Sequence, residues 1–230
     1  MTAGDVMAAL GTVYDPELDE PITALRFVAA CEVGEAGAVS IRLRLPTPQC
    51  APNFAFLMAA DAAAAVRALP GAGPVRVVLD DHYTAAEINS AVGRGEEFAE
   101  AFPGETEGRL DTLRELFRRK ALLARQARAC EALLAQGAAP TEIAAMRLGE
   151  LPDSPDARRC RELRAQLGIA AAEGAPGFVR PDGSPVTADG LATWLRMAGL
   201  VRTSLEANGG ICRSLLTVRY GIPESEEAAA

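Results

Sequence analysis

The sequence predicts an α+β protein, in which a small α-β-β-α-β sandwich domain is followed by an all-helical C-terminal module. Three observations predict this class. In the first 80 residues, an amphipathic helix, two strand-like runs, an Ala-rich helix and a Val-rich strand follow one another. Beyond Glu105 every periodic segment has helical spacing. The acidic excess of the chain, net −8, lies within residues 1–104, whereas residues 105–230 are balanced.

The first helix and a hairpin come from local patterns. Asp5–Val13 places apolar residues at helical spacing. Phe27–Val33 and Val39–Leu45 are strand-like, and the glycine-containing segment Gly34–Gly37 between them indicates a hairpin. In the second run apolar residues alternate with Ser and Arg, which predicts a strand with one buried face.

The second helix and the third strand complete the sandwich. Pro46 and Pro48 end the preceding strand, and Asn53–Leu69 is a long Ala-rich segment that stops at a Pro-Gly turn. Val75–Leu79 is the third strand. We therefore place a first domain at residues 1–80.

The rest of the chain is predicted to be helical. Ala85–Ala99 forms a connector within residues 81–104, and residues 105–223 form the helical module. Residues 224–230 are predicted to be a flexible tail. The helices expected in the module are Arg109–Gln136, Thr141–Leu148, Asp156–Leu167, Ala188–Ala198 and Val201–Arg219.

Charge and hydropathy exclude several classes of function. With 23 basic and 31 acidic residues the chain repels phosphate backbones and anionic lipid surfaces, so we expect no nucleic-acid partner. No apolar run approaches the ~20 residues that span a bilayer, and the N-terminus has no export signal. The expected location is the cytoplasm.

The five cysteines are an odd number, widely spaced and without any C-x-x-C pair. A disulfide framework or a local zinc or cluster site is therefore not predicted. A metal would need ligands gathered by the fold, by a second copy in a homodimer, or by a partner protein.

Cys50 is the first candidate functional residue. Cys50 and Thr47 lie between the end of a predicted strand and the start of a predicted helix. Pro52 suits the first turn of that helix. The N-terminal end of a helix favours a thiolate, which binds iron or attacks an electrophile. The same features also fit a small buried side chain at a tight connection, and both interpretations stay open.

Three further positions offer ligand chemistry. Asp15 and Glu17 flank a proline and fit either a turn or hard oxygen ligands for iron. Asp81 and His82, the latter the only histidine of the chain, offer a carboxylate and an imidazole, although a lone histidine in a loop also fits plain polar surface. Cys212 follows two glycines in a helical run and is the second thiol of interest.

The order of these motifs resembles a known family. The segments are Asp15-Pro16-Glu17-Leu18, Leu45-Pro46-Thr47-Pro48-Gln49-Cys50 and Leu69-Pro70-Gly71. Over about residues 4–80 the chain resembles the small iron-sulfur assembly domain of SufT and PaaD proteins and of the cytosolic iron-sulfur targeting factors. The resemblance implies that Cys50 is the reactive cysteine, and that Thr47, Asp15 and Glu17 line its pocket.

Two departures from the family pattern limit what the resemblance implies. The family usually places proline directly after its cysteine, whereas here Ala51 intervenes. The helical half has no counterpart in the minimal family domain. Its Asp-His-x-x-x-x-x-Ile-Asn segment, residues 81–89, is similar to accessory proteins associated with bacterial di-iron monooxygenases.

The leading hypothesis is therefore a maturation factor rather than an enzyme. It holds iron or an iron-sulfur cluster transiently, through Cys50 with Asp81, His82 or Cys212, and serves a client metalloenzyme or the assembly machinery. A metal-free chaperone or adaptor that binds its partner through the helical module is the first alternative. A cysteine-dependent hydrolase is the second.

Overall fold

The computed structural model describes residues 1–104 and 110–222, and it confirms the predicted α+β class. The strands are β1 (Tyr14–Asp15), β2 (Glu20–Pro21), β3 (Val28–Val33), β4 (Val39–Arg44) and β5 (Val75–Asp80). The helices are α1 (Ala3–Leu10), α2 (Pro52–Arg67), α3 (Ala85–Arg94), α4 (Phe98–Ala101), α5 (Asp111–Ala135), α6 (Pro140–Ala145), α7 (Pro155–Gln166) and α8 (Ala188–Tyr220). None of the described helices combines the length and the apolar character that crossing a bilayer requires.

A three-stranded sheet in the order β3-β4-β5 confirms the predicted hairpin and third strand. The strands β3 and β4 are antiparallel, whereas β4 and β5 are parallel in register from Val39 opposite Val75 to Arg44 opposite Asp80. A parallel pair needs a crossover, and α2 supplies it. In β4 every second residue is buried, as the alternation predicts.

One apolar core lies against this sheet. It contains Ile41 of β4, Leu79 of β5 and Val66 of α2, all essentially inaccessible to solvent. Ile88 of α3 and Phe98 of α4 belong to the same core. The helices α3 and α4 therefore pack with the sheet.

The packing of the chain divides it into two units. The sheet unit combines residues 1–112 with those from Asn208 onward, and the helical unit is Leu113–Ala207. The domain borders predicted at residues 80 and 104 refer to domains that fold independently, which is a different property from packing. They stay predictions. The predicted flexible tail, 224–230, lies outside the described residues, as do residues 105–109 and 223 of the predicted module.

Three predicted helices have different bounds in the structure because of how their glycines behave. The helix expected over Ala85–Ala99 ends at Arg94, because Gly95 takes a left-handed C-cap conformation with φ 73°. The two helices expected to be separated near Gly199 form one continuous helix, α8. An isolated glycine weakens a helix by about 1 kcal/mol but keeps its N–H, so it need not interrupt the hydrogen-bond ladder.

Gly37, in the turn between β3 and β4, has no room for a side chain. Its φ is 75°, and a Cβ there would overlap the carbonyl oxygen of Gly71. We expect Gly37→Ala to lower the free energy of unfolding by more than about 2 kcal/mol, because overlap is added to backbone strain. Gly71→Ala is the matched control, since its φ is 78° but nothing lies within 4 Å. Urea unfolding should show a clearly smaller loss for the control, and equal losses would contradict the steric argument.

The helical unit contains a buried arginine. Arg164 of α7 is inaccessible to solvent and donates to the carbonyl oxygens of Pro176 (2.7 Å) and Gly177 (2.6 Å) and to Gln126 Oε1 (3.2 Å). Gln126 of α5 in turn pairs with the N–H and C=O of Val179. This network fastens the segment after α7 to α5 and α7.

Candidate functional site

Cys50 lies between β4 and α2, where the sequence predicts it. The helix begins at Pro52 with Ala51 as its N-cap, so the cysteine precedes the helix by two residues and is half-buried. Thr47 Oγ1 lies 3.6 Å from Cys50 Sγ. The hydroxyl oxygen already accepts the N–H of Gln49 (3.2 Å), which leaves its proton free to be donated to the sulfur. The predicted proximity of Thr47 and Cys50 is present.

His82 holds the backbone of Cys50. Its Nε2 lies 2.7 Å from the Cys50 carbonyl oxygen, and its Nδ1 lies 3.2 Å from the N–H of Thr84. A backbone N–H can only donate, so we assign Nδ1 as the acceptor and place the proton on Nε2, which donates to Cys50. Both ring nitrogens are thus engaged within the protein, and His82 positions the cysteine loop. Metal ligation by His82 stays a prediction.

Asp81 turns away from its neighbour His82. It has a φ of 50°, and its carboxylate, 61% exposed, forms an ion pair with Arg219 of α8. The two residues that the sequence presents as a ligand pair therefore have different partners. Asp81 ties the end of β5 to α8.

Cys212 of α8 belongs to the sheet unit and packs, half-buried, against the same core as Cys50. The pKa of its thiol is raised to about 12, chiefly by burial and in smaller part by the negative charges of Asp15, Cys50 and Glu17, against a lowering effect of Arg213. These charges act at short range, so the fold brings the two thiols and the two carboxylates into one neighbourhood. Local sequence could not show this.

Asp15 forms the turn that its proline predicts. Its Oδ1 accepts the N–H groups of Glu17 (2.8 Å) and Leu18 (3.0 Å). The pKa of this carboxyl is raised to about 6, chiefly by burial and in smaller part by the charges of Glu17 and Glu20, against the lowering effect of the two N–H donors. Asp15 thus stabilises the turn and is also a buried titratable group near Cys212.

Two side chains of α8 also form hydrogen bonds with carboxylates of this neighbourhood. Asn208 Nδ2 donates to Glu17 Oε1 (3.2 Å), and Arg213 Nη1 donates to both oxygens of Glu20 (2.9 and 3.1 Å). Sequence reasoning missed Asn208, Arg213 and Glu20 as parts of the site. The partners are far apart along the chain, and no local periodicity connects them.

The site is not a ready-made metal centre. Among the described residues, no group of three or more His, Cys, Asp or Glu side chains has the spacing to hold a metal ion. The arrangement offers one half-buried sulfur next to a hydroxyl, a second thiol and two carboxylates. Such a set can supply part of the ligand shell of iron.

Comparison with known proteins places this neighbourhood in a family context. The family model described as iron-sulfur cluster assembly protein matches residues 4–78, from α1 to β5. The uncharacterized protein MJ1129 of Methanocaldococcus jannaschii is 34% identical over 89 residues, which are 39% of this chain and 92% of that protein. No solved structure gives a significant match. Asp15, Glu17, Thr47 and Cys50 lie inside the matched range, whereas His82 and Cys212 lie outside it.

Proposed function

This chain belongs to the family of iron-sulfur cluster assembly proteins, and we propose that it holds iron or a nascent cluster transiently at Cys50 for delivery to a client metalloenzyme. The observation that carries the proposal is the position of Cys50 next to the Thr47 hydroxyl, with its carbonyl held by His82. A positioned thiolate is the ligand that iron-sulfur chemistry requires. The client or the assembly machinery fills the remaining coordination positions.

Cys212 is the second thiol of this neighbourhood. Its raised pKa keeps it a thiol at neutral pH in the absence of a cation. Burial among negative groups causes that shift, and an iron cation placed among the same groups counteracts it. We therefore assign Cys212 as a second ligand that loses its proton when iron arrives.

Anaerobic titration with ferrous iron tests the proposal. The wild-type protein should develop a thiolate-to-iron absorption band, and Cys50→Ser should weaken the apparent affinity by about tenfold or more, because the first ligand is lost. Cys31→Ser is the matched control, since Cys31 is also a half-buried thiol of the sheet unit but lies in β3. If Cys50→Ser keeps the full band, the proposal fails. Cys212→Ser should reduce the proton release that accompanies binding.

A second candidate function has one specific observation in its favour. The part of α8 that belongs to the sheet unit exposes large apolar side chains, with Ile211 57% and Val218 85% exposed. Exposed apolar surface marks sites of protein association. A metal-independent adaptor would bind its client equally well after Cys50→Ser and would lose it when these residues become serine.

The contacts of His82 do not favour the cysteine-dependent hydrolase. A general base needs a free ring nitrogen directed at the sulfur, and both nitrogens of His82 bond to other groups. A di-iron monooxygenase as the client, a homodimer and a cytoplasmic location stay predictions.

A further inference from the structure

The strand β5 has an open edge. It is the last strand of the order β3-β4-β5, so only one of its sides pairs with a neighbouring strand. Pro74 directs its carbonyl to Val39 of β4 (2.9 Å), and successive residues of a strand face opposite sides. The backbone groups of Val75, Val77 and Leu79 therefore point to the open edge.

A side chain already imitates a neighbouring strand at one end of this edge. Leu79 N donates to Asn89 Oδ1 (2.7 Å), and Asn89 Nδ2 donates to the Leu79 carbonyl (3.1 Å). This is the pair of bonds that the N–H and C=O of one residue in an adjacent antiparallel strand would make. Val77 presents the same donor and acceptor two residues earlier, and the described part of the chain provides no partner for them.

A cavity of about 430 Å³ lies beside the unpaired part of β5. Residues of α2, β5 and α3 line it, among them Val77, Ser90 and Gly93. A Cβ on Gly93 would meet nothing within 4 Å, so α3 leaves space there. A cavity of this size accommodates a short peptide segment.

Two cations line the same cavity. Arg67 and Arg76 are exposed, and within residues 1–104 and 110–222 neither forms an ion pair with a carboxylate. Arg67 donates only a long bond, 3.5 Å, to the carbonyl of Val92. In a chain of net charge −8, this is a local positive site that attracts an acidic group.

We propose that this groove, formed by Arg67, β5 and α3, binds an extended segment of a partner protein that carries an acidic side chain. The segment adds to β5 as a further strand, and its backbone pairs with the N–H and C=O of Val77. Its carboxylate lies between Arg67 and Arg76. The inference is independent of the iron chemistry, since no thiol takes part, but β5 runs directly into His82, which holds Cys50.

Fluorescence anisotropy with labelled peptides tests the inference on the full chain. The probe is the peptide acetyl-SVEVTS-amide. A second peptide has glutamine in place of the glutamate at its third position and therefore lacks the carboxylate. A glutamine peptide with a free C-terminal carboxylate distinguishes a side chain from a chain end. We expect the first peptide to bind saturably, and both glutamine peptides to bind about tenfold more weakly. A glutamate peptide methylated on its backbone nitrogens should lose binding.

Variants locate the binding to the groove. The double variant Arg67→Glu, Arg76→Glu should weaken binding of the glutamate peptide by about tenfold or more, whereas Arg196→Glu on α8 should not. Gly93→Phe should fill the cavity and block binding, with Gly93→Ala as its control. Bound peptide should also slow hydrogen exchange of the Val77 amide. The inference is overturned if the glutamate peptide shows no saturable binding, or if these variants bind it as the wild type does.

Discussion

Arg164→Met should lower the free energy of unfolding of the helical unit by about 3–5 kcal/mol. The methionine fills much of the volume but donates nothing, so the part-buried carbonyl of Pro176 and the buried carbonyl of Gly177 lose the arginine donor, and Gln126 Oε1 keeps only the N–H of Val179. Unsatisfied buried acceptors are costly because they have given up water without a replacement. Burial also lowers the pKa of the Arg164 guanidinium, because the charged form has little access to water.

Urea unfolding of the full chain, followed by circular dichroism, measures this effect. Arg158→Met is the matched control on the same helix, because Arg158 is exposed and pairs only with exposed Asp153. We expect the control to change stability by less than about 1 kcal/mol. If Arg164→Met loses no more than Arg158→Met, the network does not hold the segment after α7.

Asp15→Asn should stabilise the protein at pH 7 by up to about 3 kcal/mol and leave it unchanged near pH 4. Burial raises the folded-state pKa of Asp15 from its ordinary 3.8 to about 6. The folded protein therefore binds this proton more tightly than the unfolded chain. The stability contributed by Asp15 is present below about pH 4, is lost as the pH rises towards 6, and stays lost above that.

Asparagine keeps the oxygen that accepts the N–H groups of Glu17 and Leu18, so the turn is preserved. Urea midpoints of wild type and variant at pH 4 and pH 7 give the difference directly. Glu35→Gln, which neutralises an exposed carboxyl of the same unit, should show no such dependence on pH. A variant that is less stable than wild type at pH 7 would contradict the assignment. Removal of the charge should also lower the pKa of the Cys212 thiol.

Local patterns in the sequence were sufficient to predict the strands of the sheet and the position of Cys50. The alternation along β4 indicates its buried face, and the prolines at 46, 48 and 52 place the cysteine before α2. These signals are local, since strand alternation and helix starts depend on residues a few positions apart. Local signals did not distinguish Gly95, which ends α3, from Gly199, which lies within α8. Whether a helix ends at a glycine depends on the surrounding packing.

The set of residues that share the site follows from the packing of the folded chain. Cys212 reaches the neighbourhood of Cys50 because the part of α8 from Asn208 onward packs within the sheet unit. His82 bonds to the backbone of Cys50, whereas Asp81 pairs with Arg219. Arg164 and Asn89 are important because each bonds to backbone groups that have no other partner in the described strands and helices nearby, Arg164 to Gly177 and Asn89 to Leu79. Contacts between residues distant in the chain follow from the packing of whole elements, and no periodicity in the sequence records them.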